Sequence, residues 1–228
     1  MKQLALDLST APAPSLRNFE PSGNEQAYAQ LLQTAKALGS SPTPVLLWGE
    51  AGCGKTHLLK ALRAHLTEAG LTVAWLDETT EHPPAFDEGW GAVLLDNCDS
   101  WGDLQQATAF NWIVSAQGSA QARRPWLVAT SATPPADWVV RDDLRTRLAQ
   151  GLVFELQVLN ETQRLQVLRD EAQARGLTLS DEVVGFMVRR FSRDLGSLMA
   201  LLAHLDDYAL RHQRALTVPL IKSMLEHE

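Results

Sequence analysis

The sequence has little cysteine, no long apolar run and no excess of positive charge. Two cysteines, Cys53 and Cys98, exclude a disulfide framework and are typical of a reduced compartment. No stretch approaches the ~18 consecutive apolar residues that a membrane-spanning helix needs. Residues 1–15 (MKQLALDLSTAPAPS) lack the long apolar segment of a signal peptide. We therefore expect a cytoplasmic protein that does not attach to a membrane.

The charge balance is acidic, with a formal net charge of −7. Residues 1–159 carry 11 Lys and Arg against 17 Asp and Glu, and residues 160–228 carry 9 against 10. A module that binds nucleic acid through its phosphates concentrates positive charge, so neither part is expected to be one. The histidines show no HExxH spacing and the cysteines no CxxC, which argues against a zinc site.

What the sequence does contain is an alternation of apolar runs and helical patterns, with 45% hydrophobic residues to build a core. The runs predict five strands, at Val45–Trp48, Thr72–Leu76, Ala92–Leu95, Trp126–Ala129 and Leu152–Leu156. Helical patterns lie at Asn24–Leu38, Lys55–Ala69, Leu104–Val114 and Asp142–Ala149. Such alternation predicts a parallel sheet covered on both faces. Most of the seven tryptophans fall at strand or amphipathic-helix positions, so we expect them in the core rather than stacked on bases.

After Leu159 the strand signal stops and only helical patterns remain. They lie at Glu161–Arg175, Asp181–Phe191, Asp194–Arg211 and Val218–Leu225. Asn160 and Ser180 are good N-caps, and Gly176 is a good helix stop. We therefore predict an α/β domain over residues 16–159 and a small helical domain over residues 160–228. A peptide, residues 1–8, and a Pro/Ala/Ser-rich linker, residues 9–15, precede them.

Residues 49–56 read GEAGCGKT, a full match to GxxxxGK[ST], and they connect a predicted strand to a predicted helix. The glycines allow backbone N–H groups to turn around an anion, and the helix N-terminus adds a favourable dipole. We expect Lys55 to reach the β- and γ-phosphates of ADP or ATP and the Thr56 hydroxyl to bind Mg²⁺. The remaining predicted nucleotide contacts in this loop are Gly49, Gly52, Cys53 and Gly54.

The third predicted strand runs directly into Asp96, a second candidate for the magnesium site. A carboxylate at a strand end beside a phosphate loop can hold Mg²⁺ through water. The next residue is Asn97, where many P-loop ATPases place a glutamate that polarises the attacking water. An amide cannot take a proton, so the chain is expected to be a weak ATPase. Two alternatives stay open: Asn97 is simply a capping residue, or Asp99 substitutes for the missing carboxylate.

Further segments resemble those of AAA+ proteins and, among them, the replication initiator DnaA. They are Asn18–Phe19, the run GKTHLLKAL with His57, Thr130–Ser131, the run Leu144–Leu148 (LRTRL), and Ser192–Leu195 (SRDL). The resemblance covers residues 17–226 and implies an AAA+ P-loop domain with a C-terminal lid. It also implies nucleotide contacts from His57, from Thr130 as sensor 1 and from Arg193 as sensor 2. Arg147 corresponds to the arginine finger of this family, with Arg145 as its competitor.

The hexapeptide Gln3–Leu8 (QLALDL) resembles the motif with which proteins bind the DNA polymerase sliding clamp. Gln3 would bond to backbone at a pocket edge, and Leu4, Leu6 and Leu8 would enter a hydrophobic groove. The alternative is a disordered start or an added strand. DnaA continues into a helix-turn-helix domain that is not expected here. A DnaA-like unit of this kind with a clamp peptide resembles the Hda family, the regulatory inactivators of DnaA.

This resemblance implies a negative regulator of replication initiation. It would bind ADP at Lys55, Thr56 and Arg193, bind the clamp, and supply Arg147 to the ATP site of DnaA. Its partners would be DnaA, the clamp and, through the clamp, DNA of the nucleoid, with a monomer or homo-oligomer depending on nucleotide. Alternatives are a DnaA-like helicase loader or DNA-associated ATPase, a self-sufficient ATPase or small-molecule kinase, and a pure interaction module with a structural nucleotide.

Overall fold

The structure is a computed structural model that describes residues 13–37, 42–118, 124–190, 195–212 and 216–226. It divides into two compact units: Pro14–Val158 form one, and the helices that follow Leu159 belong to the other. None of the described helices combines the length and apolarity that crossing a lipid bilayer requires.

The first unit is built on a parallel sheet whose strands lie in the order β2-β3-β4-β1-β5. The strands are β1 (Val45–Trp48), β2 (Thr72–Leu76), β3 (Trp90–Leu95), β4 (Trp126–Ser131) and β5 (Leu152–Glu155). The predicted five-stranded parallel sheet is thus confirmed. Because β4 lies between β3 and β1, the segments that follow these three strands meet at one edge of the sheet.

Alternate side chains of each strand enter two separate cores, one on each face. On one face, Leu47, Leu94 and Val128 pack with helices α1 (Glu25–Lys36) and α2 (Lys55–Glu68). On the other, Leu46 and Val93 pack with α3 (Asp103–Gly118) and α4 (Asp142–Leu148). Strands buried on both faces have no room for the polar alternation of a half-exposed sheet, which explains their continuous apolar sequence.

Most of the tryptophans lie in the core, as predicted. Those that are buried are Trp90, Trp101, Trp112, Trp126 and Trp138. Trp90 and Trp112 meet edge to face, with ring centroids 4.8 Å apart, so an α3 side chain packs on the start of β3. The indole N–H of Trp101 donates to the backbone carbonyl of Asp96 at 2.9 Å, which supports the chain just after β3.

The second unit contains α5 (Glu161–Ala174), α6 (Asp181–Arg190), α7 (Leu195–His212) and α8 (Val218–Glu226). Asn160 caps α5 through a reciprocal box with Gln163, and Gly176, at φ 74°, follows its end. The Ser180 hydroxyl accepts from the Val183 N–H at the start of α6. Leucine, valine, isoleucine and methionine side chains from all four helices form one core.

Several elements are longer than the sequence predicts. β3 begins at Trp90 rather than Ala92, and β4 continues to Ser131 rather than Ala129. At the end of β4, Thr130 and Ser131 are fully buried. Polar residues inside a strand weaken the apolar signal, yet here they satisfy buried backbone and carboxylate groups. α3 likewise extends to Gly118, beyond its last strongly apolar turn.

Candidate functional site

The loop between β1 and α2 curls around its own backbone through three glycines. Gly49, Gly52 and Gly54 have φ values of 154°, 84° and 96°, a region in which residues with a Cβ are strained. A Cβ on Gly49 would also lie 2.4 Å from the Leu156 carbonyl oxygen, and one on Gly54 would lie 2.8 Å from the Phe19 ring. The loop therefore requires glycine for conformation and for space.

Lys55 opens α2, and its side chain returns along this loop. Only 7% of the residue is exposed. Its Nζ donates to the carbonyl oxygens of Gly49 at 2.6 Å and Glu50 at 3.0 Å, and lies 3.6 Å from Cys53 Sγ. The ammonium group is thus held within the loop and beside the first turn of a helix, where positive charge and N–H donors both favour an anion.

Thr56, Asp96 and Thr130, which the sequence places far apart, converge at the carboxyl edge of the sheet. Asp96 follows β3 and is 4% exposed. Its carboxylate accepts from the Thr56 hydroxyl at 2.9 Å and from the Thr130 hydroxyl at 2.5 Å. A hydroxyl and a carboxylate are the hard oxygen donors that Mg²⁺ prefers, so the pair Thr56–Asp96 fits the metal of a bound nucleotide.

Asn97 and Asp99, in the segment after Asp96, both connect this segment to the end of β4. Asn97 adopts a left-handed conformation (φ 53°), and its N–H donates to the Thr130 hydroxyl at 2.9 Å. It precedes a short 3₁₀ turn, but its side chain makes no capping bond. Asp99 accepts from the N–H groups of Ala132 and Thr133 at 3.0–3.1 Å. The Asp99 carboxylate therefore anchors the loop after β4.

A short strap, residues 15–19, covers the start of α2. Phe19 contacts Gly54, stacks on Tyr28 with centroids 5.4 Å apart, and lies 6.1 Å from the His57 ring. Ser15 and Asn18 cap each other reciprocally around a 3₁₀ turn. The sequence singled out Asn18 and Phe19 but missed Ser15 and Tyr28. The S-x-x-N spacing is a capping signal that points to Ser15; nothing in the sequence points to Tyr28.

The three arginines of the α4 region differ in their partners. Arg141 bonds to Asp143 and Arg145 to Asp142, each at 2.7 Å. Arg147 instead donates to the amide oxygen of Gln117. Its guanidinium lies 5.4 Å from the centre of the Phe110 ring, which it shares with Arg141 at 5.0 Å. Within the described part of the chain, no carboxylate lies within ion-pair distance of Arg147. Its charge therefore stays available to another anion.

The chain matches two family models, the bacterial DnaA ATPase domain over residues 17–77 and the Hda lid domain over residues 161–225. The two matches together support a Hda- and DnaA-like AAA+ protein. Domain III of DnaA from Thermotoga maritima superposes with a TM-score of 0.70 at 22% identity, covering 93% of this chain and 97% of that one.

Other AAA+ structures share the fold at lower identity. A replication initiator DnaA bound to AMPPCP and single-stranded DNA has a TM-score of 0.63 at 19% identity, covering 90% of this chain and 69% of that one. The RuvB Holliday junction branch migration motor of Thermotoga maritima has a TM-score of 0.63 at 14% identity, covering 95% and 72%. At these identities the likeness establishes the shared fold.

Some residues predicted for this AAA+ protein lie outside the described residues. They are Arg193, the proposed sensor 2, and Gln3, Leu4, Leu6 and Leu8, the proposed clamp contacts. Their roles stay predictions. The described residues bring together Lys55, Thr56, Asp96 and Thr130 at one edge of the sheet, while Arg147 lies on α4 with its side chain against α3.

His57 gives the AAA+ unit an expected pH dependence. Burial lowers the pKa of its imidazole below the ordinary 6.5, and the nearby Ser15 carbonyl raises the pKa by less. The unfolded chain then binds the proton more readily, so stability falls as the pH drops below about 6.5. We expect His57→Gln to lose less stability than the wild type between about pH 7 and about pH 5.

Urea unfolding of both proteins at several pH values checks this expectation. All other titratable groups are common to the two proteins, so the comparison isolates His57. Equal losses of unfolding free energy in the two proteins would show that His57 does not contribute.

Proposed function

We propose that this protein binds ADP with Mg²⁺, binds the sliding clamp, and stimulates hydrolysis of the ATP bound to DnaA. Arg147 acts as an arginine finger in this reaction, and the result is negative regulation of replication initiation. The main support for this proposal is that Arg147 contacts the neutral side chains of Gln117 and Phe110. An arginine finger must present an uncompensated positive charge to the transferring phosphoryl group. Arg145, the alternative finger, is already paired with Asp142.

The nucleotide site supports binding more than turnover. The backbone of residues 49–56 and Lys55 would hold the phosphates, and Thr56 with Asp96 would hold Mg²⁺, with His57 and Thr130 beside them. Mg²⁺ would neutralise phosphate charge. Asn97 cannot accept a proton, and the Asp99 carboxylate is occupied by the loop after β4. Weak hydrolysis by the chain itself follows, which suits a protein that stays in its ADP form.

The finger and the nucleotide site are distinct parts of the surface, so one chain can bind its own ADP and serve a neighbour's ATP. Arg147 lines a cleft with Pro44 and Pro125, which precede β1 and β4, whereas the phosphate loop follows the carboxyl end of β1. A guanidinium supplied in trans stabilises charge that develops only in the transition state. The chain would therefore act as an activator of DnaA's own hydrolysis.

The clamp contact would act by raising local concentration. An extended peptide that docks in a preformed groove binds with modest affinity. The linker that the Pro/Ala/Ser composition of residues 9–14 predicts would let it do so without disturbing the folded unit. With DnaA and the clamp near the same DNA, tethering makes the encounter with DnaA effectively intramolecular.

Deletion of residues 1–8 tests this function. We expect the deletion to lower stimulation of DnaA-bound ATP hydrolysis on clamp-loaded DNA by about 10²-fold at limiting protein. At saturating protein the difference should narrow, because tethering supplies concentration and not chemistry. The measurement is single-turnover hydrolysis of labelled ATP bound to DnaA.

The control in this test is DNA without clamp, on which intact protein and deletion variant should be equal. ADP affinity should also be the same for both. Full stimulation by the deletion variant on clamp-loaded DNA at every protein concentration would remove the tether from the proposal, and no stimulation by the intact protein would remove the function.

A further inference from the structure

Arg147 is held by two side chains of α3, and both are neutral. Its Nη1 donates to the Gln117 amide oxygen, and its guanidinium lies 5.4 Å from the centre of the Phe110 ring. Phe110 and Gln117 are seven residues apart, about two helical turns, and so share one face of α3. This face positions the guanidinium from two directions.

A neutral hydrogen-bond partner leaves the positive charge of a guanidinium in place, whereas a carboxylate cancels it. Arginine has five N–H donors, and an amide oxygen accepts from one of them without cancelling the charge. The carboxylates of Asp143 and Asp142 do cancel the charges of Arg141 and Arg145 nearby. Glutamine at position 117 therefore orders the arginine and keeps it available to phosphate.

The surroundings of Arg147 explain why it needs such a partner. Arg147 and Gln117 both line a cleft of about 230 Å³ between α3, α4 and the amino ends of β1 and β4. The cleft gives a long side chain room to turn into other rotamers. Each alternative rotamer lowers the fraction of molecules in which the guanidinium is ready to act.

We propose that Gln117 is a positioning residue for Arg147: it holds the guanidinium ordered and unneutralised, away from the alternatives that the cleft permits. This inference rests on the proposed function, since the ordered guanidinium is the proposed finger. Gln117 does not touch the reacting phosphate; its effect passes through Arg147.

Two replacements of similar size separate orientation from charge. Gln117→Met removes the acceptor, and we expect the maximal rate of DnaA-bound ATP hydrolysis to fall about fivefold. Gln117→Glu supplies a competing carboxylate, and we expect a larger fall that partly recovers as salt screens the exposed pair. The protein concentration for half-maximal stimulation should stay unchanged in both. Asn111→Asp, an equal charge change on another face of α3, is the control and should keep the wild-type rate.

An independent readout is the NMR signal of the Arg147 Nε–H group, assigned by its loss in Arg147→Lys. We expect this group to be more mobile in Gln117→Met than in the wild type. Unchanged mobility, or a full maximal rate in Gln117→Met, would overturn the positioning role. If Arg147→Ala itself stimulated normally, the proposed function would fail instead, whatever the mobility of the side chain.

Discussion

Arg147→Ala is expected to lower the stimulated hydrolysis of DnaA-bound ATP by about 10³-fold or more, or to the unstimulated rate of DnaA if that limit comes first. The physical reason is the loss of a positive charge that acts on the phosphoryl group only in the transition state, equivalent to ~4 kcal/mol of barrier. Single-turnover hydrolysis on clamp-loaded DNA measures it. Because Arg147 is only half-buried and its side-chain partners among the described residues are Gln117 and Phe110 of α3, the fold should survive the substitution.

Arg145→Ala is the matched control for this prediction, on the same helix and with the same loss of charge. Its guanidinium is bonded to Asp142 at 2.7 Å, so we expect a much smaller loss of stimulation. ADP affinity should be unchanged in both variants. A pure interaction module with a structural nucleotide would keep its full effect on DnaA in Arg147→Ala, and that outcome would exclude the finger. A reversed order of the two variants would assign the finger to Arg145.

Lys55→Ala is expected to weaken ADP binding by about tenfold to a hundredfold, the loss of one charge-assisted contact worth ~1.5–3 kcal/mol. The buried ammonium group donates to the Gly49 and Glu50 carbonyl oxygens. Without its positive charge, the negative phosphates would lie near these carbonyl oxygens with no cation between them. Calorimetric titration with ADP and Mg²⁺ gives the affinity directly.

Lys60→Ala is the control for Lys55, since Lys60 is exposed on the same helix. It should bind ADP as the wild type does. Equal affinities for ADP in Lys55→Ala and in the wild type would place the nucleotide elsewhere. A Lys55→Ala protein that has lost its melting transition would report a folding defect, and Lys55→Gln, which keeps the side-chain length, would then be measured.

The sheet and the two cores were predictable because their sequences carry strong, repeated signals. β1 is a run of four apolar residues that begins after a proline, and the phosphate loop follows it with its glycines at fixed spacing. Buried strands and glycine-dependent loops have few sequence solutions, so the pattern is informative. The ends of β3 and β4 were less predictable, since Gly91 is not typical of a strand and the buried Thr130 and Ser131 are polar and interrupt the apolar run.

The site residues were predictable where a single segment determines their position, and unpredictable where contacts between two segments do. Lys55 and Thr56 stand at a fixed place where the phosphate loop meets α2, and Asp96 stands at the end of β3. The choice between Arg145 and Arg147 depends on which carboxylates their side chains reach, and spacing alone does not give that. Gln117, on another helix, carries no signal in the sequence at all, and neither does the direction of the Asp99 carboxylate.

The sequence allows two alternatives to the loss of a catalytic glutamate: Asn97 is a capping residue, or Asp99 takes over the role of the carboxylate. The structure gives Asn97 a different reason. Asn97 is the one described residue other than glycine with a positive φ. Asparagine tolerates that conformation better than glutamate does, which gives its presence a backbone reason. It makes no side-chain cap. The left-handed conformation therefore explains why asparagine is suited to this position. Because an amide cannot take a proton, we still expect the chain to be a slow ATPase.

We propose that nucleotide phosphates lie on the backbone of residues 49–56 while Thr56 and Asp96 serve their Mg²⁺. Amide NMR of the isotope-labelled protein during addition of ADP and Mg²⁺ tests this placement. We expect the largest shifts on the amides of Gly52, Gly54, Lys55 and Thr56. Saturating shifts confined to another part of the chain, with this loop unchanged, would contradict it.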